Sequence, residues 1–310
     1  MPIRTSRALA HSTRALLCFS LAFLVASSLT SCTPSGSKSA DGKKRIGVSL
    51  LTQQHDFYKD LQAGLEEAAA EHGFEVVIQS GENDSPAQAR QLQAFITQGV
   101  DAIIVCPCDS AAVVPTIKRA NQGGIPVFTA DIAAAGGEVV SHIASDNFQG
   151  GELAAEALVR FMGESGEVIV LDHPEVESVQ QRVQGFEEGI AKHPNITIVD
   201  KPSAGGKRDQ AFKMMQNKLQ SNPNLRGVFA INDDTALGAL RAAGDHDLVI
   251  IGYDATPEAR EKITADTQLK ADVVQSPKTI GRKTIEAIAD HFAGKTPPKV
   301  IPVEVGVVDR

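Results

Sequence analysis

Cysteine, tryptophan and positive charge are all scarce in this 310-residue chain. Of four cysteines, Cys18 and Cys32 fall in the first 32 residues, which leaves Cys106 and Cys108 for the rest of the chain. No disulfide framework can be built from two thiols a residue apart, so the fold must rest on its core. Residues two apart on a strand lie roughly 6.5 Å from each other, and a Cys106–Cys108 bridge would be strained. Two thiols also fall short of a zinc set. Free thiols are the simplest reading, with a strained bridge and a metal contact as the alternatives. Tryptophan is absent, and tyrosine occurs only at positions 58 and 253. The 30 basic side chains are outnumbered by 38 acidic ones, a net charge of −8. An acidic body of this kind argues against nucleic acid or anionic lipid as the main partner.

Several catalytic signatures are missing too. The first apolar run leads into TQQHDFY (residues 52–58) rather than a G-x-G-x-x-G turn, so no pyrophosphate cradle follows it. No G-x-x-x-x-G-K-[ST], H-E-x-x-H or G-x-S-x-G occurs. The eight histidines are scattered, and no spacing selects a nucleophile, base and acid. Enzymatic activity is therefore unsupported, and no cofactor or metal is expected.

What is present begins at the N-terminus. Arg4, Arg7 and Arg14 precede an uncharged apolar run over 15–29, which is too short to span a bilayer comfortably. A basic head, a short apolar core and small residues at its end make a secretory signal peptide, residues 1–31. The tetrapeptide Leu29-Thr30-Ser31-Cys32 resembles a bacterial lipobox, which implies acylation of Cys32 and attachment to the outer face of a membrane. Residues 32–44 (CTPSGSKSADGKK) are rich in Ser, Gly and Lys without apolar periodicity, as a solvated tether would be. Without residues 1–31 the chain has 279 residues and a charge near −11. That length allows two lobes of ordinary domain size.

Short runs rich in Val, Ile and Leu recur at 45–51, 74–80, 101–107, 126–131, 167–172, 196–200, 227–232, 248–254, 270–275 and 303–308. Continuous apolar runs suit strands buried on both faces, as in parallel sheets. Helical spacing fills most intervals: 60–72, 85–98, 111–121, 148–162, 178–193, 208–221, 234–243, 256–266 and 279–293. Alternating strands and helices predict an α/β fold of doubly wound parallel sheets with right-handed crossovers. An interruption at 136–147 divides the series into two lobes. The run at 270–275 and the helix after it would return the chain from one lobe to the other. Ligands of such sheets bind at the carboxyl ends of strands. There the sequence places Cys106, Asp131, Asp172, Asn232, Asp233, Asp254 and Gln275. Any one of these could simply cap a helix or start a turn. Their recurrence at matched positions points to a polar cleft between the lobes.

Four segments then carry a resemblance. GEVVSHIASDN (137–147) looks like the inter-lobe crossover of ribose-type periplasmic binding proteins, the substrate-binding proteins of ABC sugar importers. GVFAINDDTALGALR (227–241), IGYDATP (251–257) and QSPKTIG (275–281) resemble motifs of the same family in the same order. The resemblance implies a type I periplasmic binding protein fold with a three-crossing hinge near 144–147, 276–277 and 301–303. It divides the chain into a first lobe (45–145 plus 276–302) and a second (146–275 plus 303–310). It implies a monosaccharide or polyol held by Asp131, Arg182, Asn232, Asp254 and Gln275, with the ring between Phe57 and Tyr58. The chemistry suits a sugar: carboxylates take only donors, arginine gives only to acceptors, and amides do both. Three positions depart from the pattern. Ile132 stands in place of an arginine, and Cys106 and His55 stand in place of asparagines.

The function implied is that of a lipid-anchored receptor, exported to the periplasm or the outer face of the cell membrane. It would deliver a sugar to ABC permease subunits, act as a monomer, touch the membrane only through its anchor and bind no nucleic acid. A sensor that serves a chemoreceptor or kinase is the alternative, and a secreted hydrolase a weaker one. The lobes also occur in lactose-repressor-type regulators. Those open with a helix-turn-helix of about 60 residues, where this acidic chain has a signal peptide and linker.

Overall fold

The computed structural model describes residues 42–310. The expected signal peptide, the lipidation site Cys32 and most of the tether lie outside the described residues.

The chain opens on β1 (Arg45–Leu50), α1 (Asp56–Glu71), β2 (Glu75–Ser80), α2 (Ser85–Gln98), β3 (Ala102–Val105), α3 (Val114–Gln122), β4 (Val127–Ala130) and β5 (His142–Ser145). It continues through α4 (Asn147–Met162), β6 (Gly166–Leu171), α5 (Glu177–Ile190), β7 (Ile196–Asp200), α6 (Arg208–Ser221) and β8 (Leu225–Ala230). Next come α7 (Asp233–Ala243), β9 (Val249–Asp254), α8 (Pro257–Thr264) and β10 (Leu269–Val274). It closes with α9 (Pro277–Phe292), β11 (Val300–Val303) and β12 (Gly306–Asp309). Two six-stranded sheets result, in the orders β11-β5-β4-β3-β1-β2 and β12-β10-β9-β8-β6-β7. All pairings are parallel except β10 with β12. The doubly wound α/β expectation therefore holds.

Both faces of each sheet are covered, which is why the strands read as unbroken apolar runs. On β3, Ala102 and Ile104 join the core shared with Leu61, Leu65 and Ile285, whereas Ile103 and Val105 join the core of Leu92, Phe95 and Ile117 on the other face. On β8, Phe229 and Val228 divide in the same way. In each sheet the strand order reverses once, between β1 and β3 and between β6 and β8. In open α/β sheets the ligand crevice lies at that reversal, outside the carboxyl ends of the strands.

Three details differ from the sequence reading. The strand expected over 303–308 is two strands, β11 in the first sheet and β12 in the second. Glu304 and Val305 lie between them, and the chain changes sheets there. The segment 137–147, read as a crossover, contains a strand of its own. In β5 only Ile143 is a strong β former, so the run is too short and mixed to stand out. Helix α1 begins at Asp56 rather than 60. Its N-cap is His55, whose Nδ1 accepts the Phe57 N–H at 3.1 Å. An imidazole is not among the usual capping side chains.

Candidate functional site

The strand ends meet across a cavity of about 610 Å³ between the two sheets. That volume is within the roughly 300–1,000 Å³ of small-molecule sites. It is lined by nine of the ten residues proposed from sequence: His55, Phe57, Tyr58, Asp131, Ile132, Arg182, Asn232, Asp254 and Gln275.

Asp131 follows β4 with φ 65°, a left-handed conformation that Asp tolerates better than most residues. Its Oδ2 accepts the Tyr58 hydroxyl at 2.6 Å. Its Oδ1 is buried and has no protein partner. Burial pushes the carboxyl up to about 6, against the opposing pull of Arg182 and the Tyr58 hydrogen bond. Burial and the Asp131 charge raise the Tyr58 phenol well above its usual range, so it stays a donor. The Phe57 ring stands edge-on to Tyr58 at 5.1 Å. Both rings are buried and line the cavity, so core packing and a site role coincide.

Asp254 closes β9 with φ 117°. Its Oδ1 accepts Gln275 Nε2 at 2.6 Å, and its Oδ2 lies 3.2 Å from His55 Nε2. Because His55 Nδ1 accepts the Phe57 N–H, the ring proton sits on Nε2 and is given to Asp254 across the lobes. Burial raises the Asp254 carboxyl, with the His55 N–H and the Arg182 charge opposing. Gln275 spends its amide N–H on Asp254 and leaves Oε1 buried without a partner. Its Nε2 can give the second N–H to a ligand.

Arg182 projects from α5 and is 5% exposed. Nε donates to Asn147 Oδ1 and Nη1 to Ile231 O, each at 2.8 Å. The guanidinium lies 3.9 Å from the Tyr253 ring centroid, in cation–π range. Its position depends on how closely α5 meets α4. A Cβ on Gly151 would collide with Arg182 O, and one on Gly185 with Phe148 O. Asn147 and Tyr253 were missed as site residues. Neither announces its role in sequence, because each acts by holding Arg182.

Asn232 lines the cavity while also capping α7. Its Oδ1 accepts Thr235 N and Thr235 Oγ1 at 2.9 Å, and its Nδ2 donates to Gly206 O at 3.1 Å. One N–H remains for a ligand. The capping and site readings are both true of this residue.

Cys106 is the exception. Its N–H extends the ladder to Ser49 O, and its side chain is fully buried in the main apolar core. Cys106 follows β3 as Asp131 follows β4, but unlike Asp131 it is not among the residues that line the cavity. Cys106 and Cys108 are separate buried thiols, and burial raises both, Cys108 to about 12.

The lobes also touch at the rim. Helix α5 starts from Val176, which has no capping side chain. Ser110 of the first lobe supplies the cap instead: its Oγ accepts Glu177 N at 3.0 Å, and its N–H donates to Glu175 O at 3.1 Å. The cavity between them presents unpaired acceptors, the buried Arg182 guanidinium and an apolar wall of Phe57 and Ile132, with Lys207 and Arg208 also in its lining.

Comparison with known proteins agrees with this geometry. The family model described as a periplasmic binding protein domain matches residues 46–296. The ribose import binding protein of Bacillus subtilis is 36% identical over 291 residues, covering 92% of this chain and 94% of the relative. An ABC transporter solute binding protein from Agrobacterium vitis, solved with α-D-tagatopyranose, superposes with a TM-score of 0.82 at 29% identity, over 86% of this chain and 95% of its own. A periplasmic solute binding protein from Actinobacillus succinogenes, solved with D-allose, gives 0.79 at 30% identity, over 86% and 98%. Two doubly wound lobes, a polar cleft at their strand ends and these matches make the chain a member of the periplasmic binding protein family, in its ribose-binding-protein-like branch.

Proposed function

We propose that this protein binds one neutral monosaccharide or cyclic polyol in the cleft and delivers it to an ABC permease. The observation that carries this is the pair of buried, unpartnered acceptors, Asp131 Oδ1 and Gln275 Oε1, in a cavity that also holds Arg182. Buried acceptors are rarely left empty, and hydroxyl groups supply the donors they need. Asp131 and Asp254 disfavour an anionic ligand. The Phe57 ring suits the apolar C–H face of a sugar.

The apolar side chain at Ile132 and the withdrawal of Cys106 remove hydrogen bonds that ribose-type proteins would make. His55 spends its ring N–H on Asp254. Each missing contact costs about 0.5–1.5 kcal/mol, or up to about 3 to a charged partner. The ligand is therefore a sugar or polyol that is less polar, or differently placed, beside Ile132. Calorimetry with ribose, allose, tagatose, xylitol and myo-inositol tests both statements. At least one is expected to bind tightly with ribose among the weaker. No heat with any of them would remove the sugar reading, and preferential tight ribose binding would remove the Ile132 argument.

The two lobes, 45–145 plus 276–302 and 146–275 plus 303–310, would close by hinge motion at the three crossings. Among the described residues no helix is long and apolar enough to cross a membrane. Such a receptor stays near its permease if Cys32 carries lipid, the role the lipobox-like Leu29-Thr30-Ser31-Cys32 supports. Cys32→Ala is expected to abolish palmitate labelling in cells and to move the protein from the membrane to the soluble fraction. Unchanged fractionation would remove the anchor.

A further inference from the structure

Behind Asp254, off the cavity, two more carboxylates face each other. Asp233 opens α7 and Asp272 lies within β10; they are 1% and 0% exposed. Neither lines the cavity. Asp233 Oδ2 accepts Thr256 N at 2.7 Å, and Asp272 Oδ1 accepts Ala255 N at 3.1 Å. Asp254 Oδ2 in turn accepts Asp233 N at 3.3 Å. The remaining oxygens, Asp233 Oδ1 and Asp272 Oδ2, have no other partner. Both crowd the space that a Cβ on Gly252 would take. Two carboxylates this close and this buried disfavour double ionisation, although Asp233 also borders a small polar pocket with His55, Asp56 and Arg208, and one retained proton gives each orphaned oxygen a partner.

The corner they hold is strained. Asp254 and Ala255 have φ of 117° and 57°, values L side chains rarely adopt. Such corners persist only where the surroundings over-determine them. Here the two amides after Asp254 are both claimed by the pair. Given that Asp254 is a sugar contact, as proposed above, we infer that Asp233 and Asp272 share one proton and together position Asp254, so that loss of this proton frees the corner and weakens ligand binding.

The surrounding charges fit one retained proton. Asp254 on β9 adds a negative charge, and His55 of α1 and Arg182 of α5 act on Asp254 from its cavity side. Arg260 of α8 reaches the corner only through Ala255 O, at 2.8 Å. On α7 Asp234 is taken up by Arg208, and Asp309 of β12 by Arg160 of α4. On α4 Glu152 is paired with Lys192. Burial, and after it the Asp233 charge, push the Asp272 carboxyl well above its ordinary value.

Two measurements on the full receptor test this: the melting midpoint of ligand-free protein against pH, and calorimetric affinity for the sugar panel at neutral and alkaline pH. The folded state holds the proton more tightly than the unfolded chain, so stability is lost as pH rises through the raised value. Wild-type melting should therefore fall as pH rises from the ordinary carboxyl range through the raised value, and affinity should drop by about tenfold or more above that value, as the Asp254 contact loosens. Asp272→Asn replaces the proton with an amide N–H and keeps the acceptor for Ala255 N. It should flatten both profiles. Asp272→Leu should weaken binding at every pH while Asp272→Asn rescues it. A wild-type affinity that does not change while melting does would overturn the positioning role. So would an Asp272→Asn variant with the wild-type profile. Absence of heat with every sugar at neutral pH would instead fail the receptor reading, with the melting curves still deciding the shared proton.

Discussion

Arg182→Ala is expected to weaken sugar binding by about 2–5 kcal/mol, thirtyfold or more, the range for truncating one partner of a buried charged contact. The size follows from what the guanidinium does. Its charge opposes the desolvation of Asp131 and Asp254, and its nitrogens satisfy Asn147 Oδ1 and Ile231 O. Removal therefore strands the Ile231 carbonyl and leaves Asn147 Oδ1 with only the long Tyr253 hydroxyl contact of 3.4 Å, besides removing the proposed donor to the ligand. The Asp131 carboxyl should then rise further above 6, moving the acid loss of affinity to higher pH. Arg182→Lys should not restore binding, because an ammonium cannot reach two acceptors in a fixed fork or stack flat on Tyr253. Calorimetry on both variants, with circular dichroism to establish folding, checks this. Near-normal affinity in the alanine variant would remove Arg182 from the site.

The residues that the sequence made legible share one property: they stand at strand ends. Asp131, Asp254 and Gln275 each interrupt an apolar run at the place where an open α/β sheet binds ligands, and all three line the cavity. Arg182 lies mid-helix on α5 and entered only through family resemblance. Asn147 and Tyr253 escaped because their contribution is a contact with Arg182 over 35 and 71 residues of sequence. No spacing rule reaches that far. Cys106 shows the opposite error. It occupies a strand-end position, but the thiol is small and apolar enough to be absorbed by the core. The same is true of the elements. Long periodic helices such as α2 and α6 fall where the pattern puts them, at Ser85–Gln98 and Arg208–Ser221. The four-residue strands β5 and β11 depend on pairing with each other, Val300 to His142 through Val303 to Ser145, and pairing partners are not written in local composition.

Asp131→Asn should make the ligand-free protein more stable and the receptor worse. The carboxyl has a folded value of about 6 against 3.8 for the unconstrained group. A raised value means that the folded state binds the proton more tightly. Ionisation therefore destabilises the fold, with the loss setting in above the unfolded value and complete above the folded one. Each unit is worth about 1.4 kcal/mol, so the ionised side chain costs on the order of 3 kcal/mol at neutral pH. Asparagine is nearly isosteric, tolerates the left-handed backbone at this position and can still accept the Tyr58 hydroxyl. The melting midpoint of the variant should exceed wild type at pH about 7.5, and the difference should close only below the unfolded value, near pH ~2.5, where Asp131 is protonated in either state. Binding should move the other way. With its amide oxygen held by the Tyr58 hydroxyl, the variant presents an N–H where wild type presents a charged acceptor, so the charge-assisted hydrogen bond from a ligand hydroxyl, worth about 1.5–3 kcal/mol, is lost. In wild type the proton and the sugar compete for that oxygen, and affinity should fall as pH drops below about 6. The variant should lack this acid limb. Equal melting midpoints at neutral pH would mean that Asp131 is not held as a desolvated charge. The two effects have one cause: the receptor keeps a dry carboxylate waiting, and the sugar hydroxyl that relieves it gains more than it would from a group already satisfied.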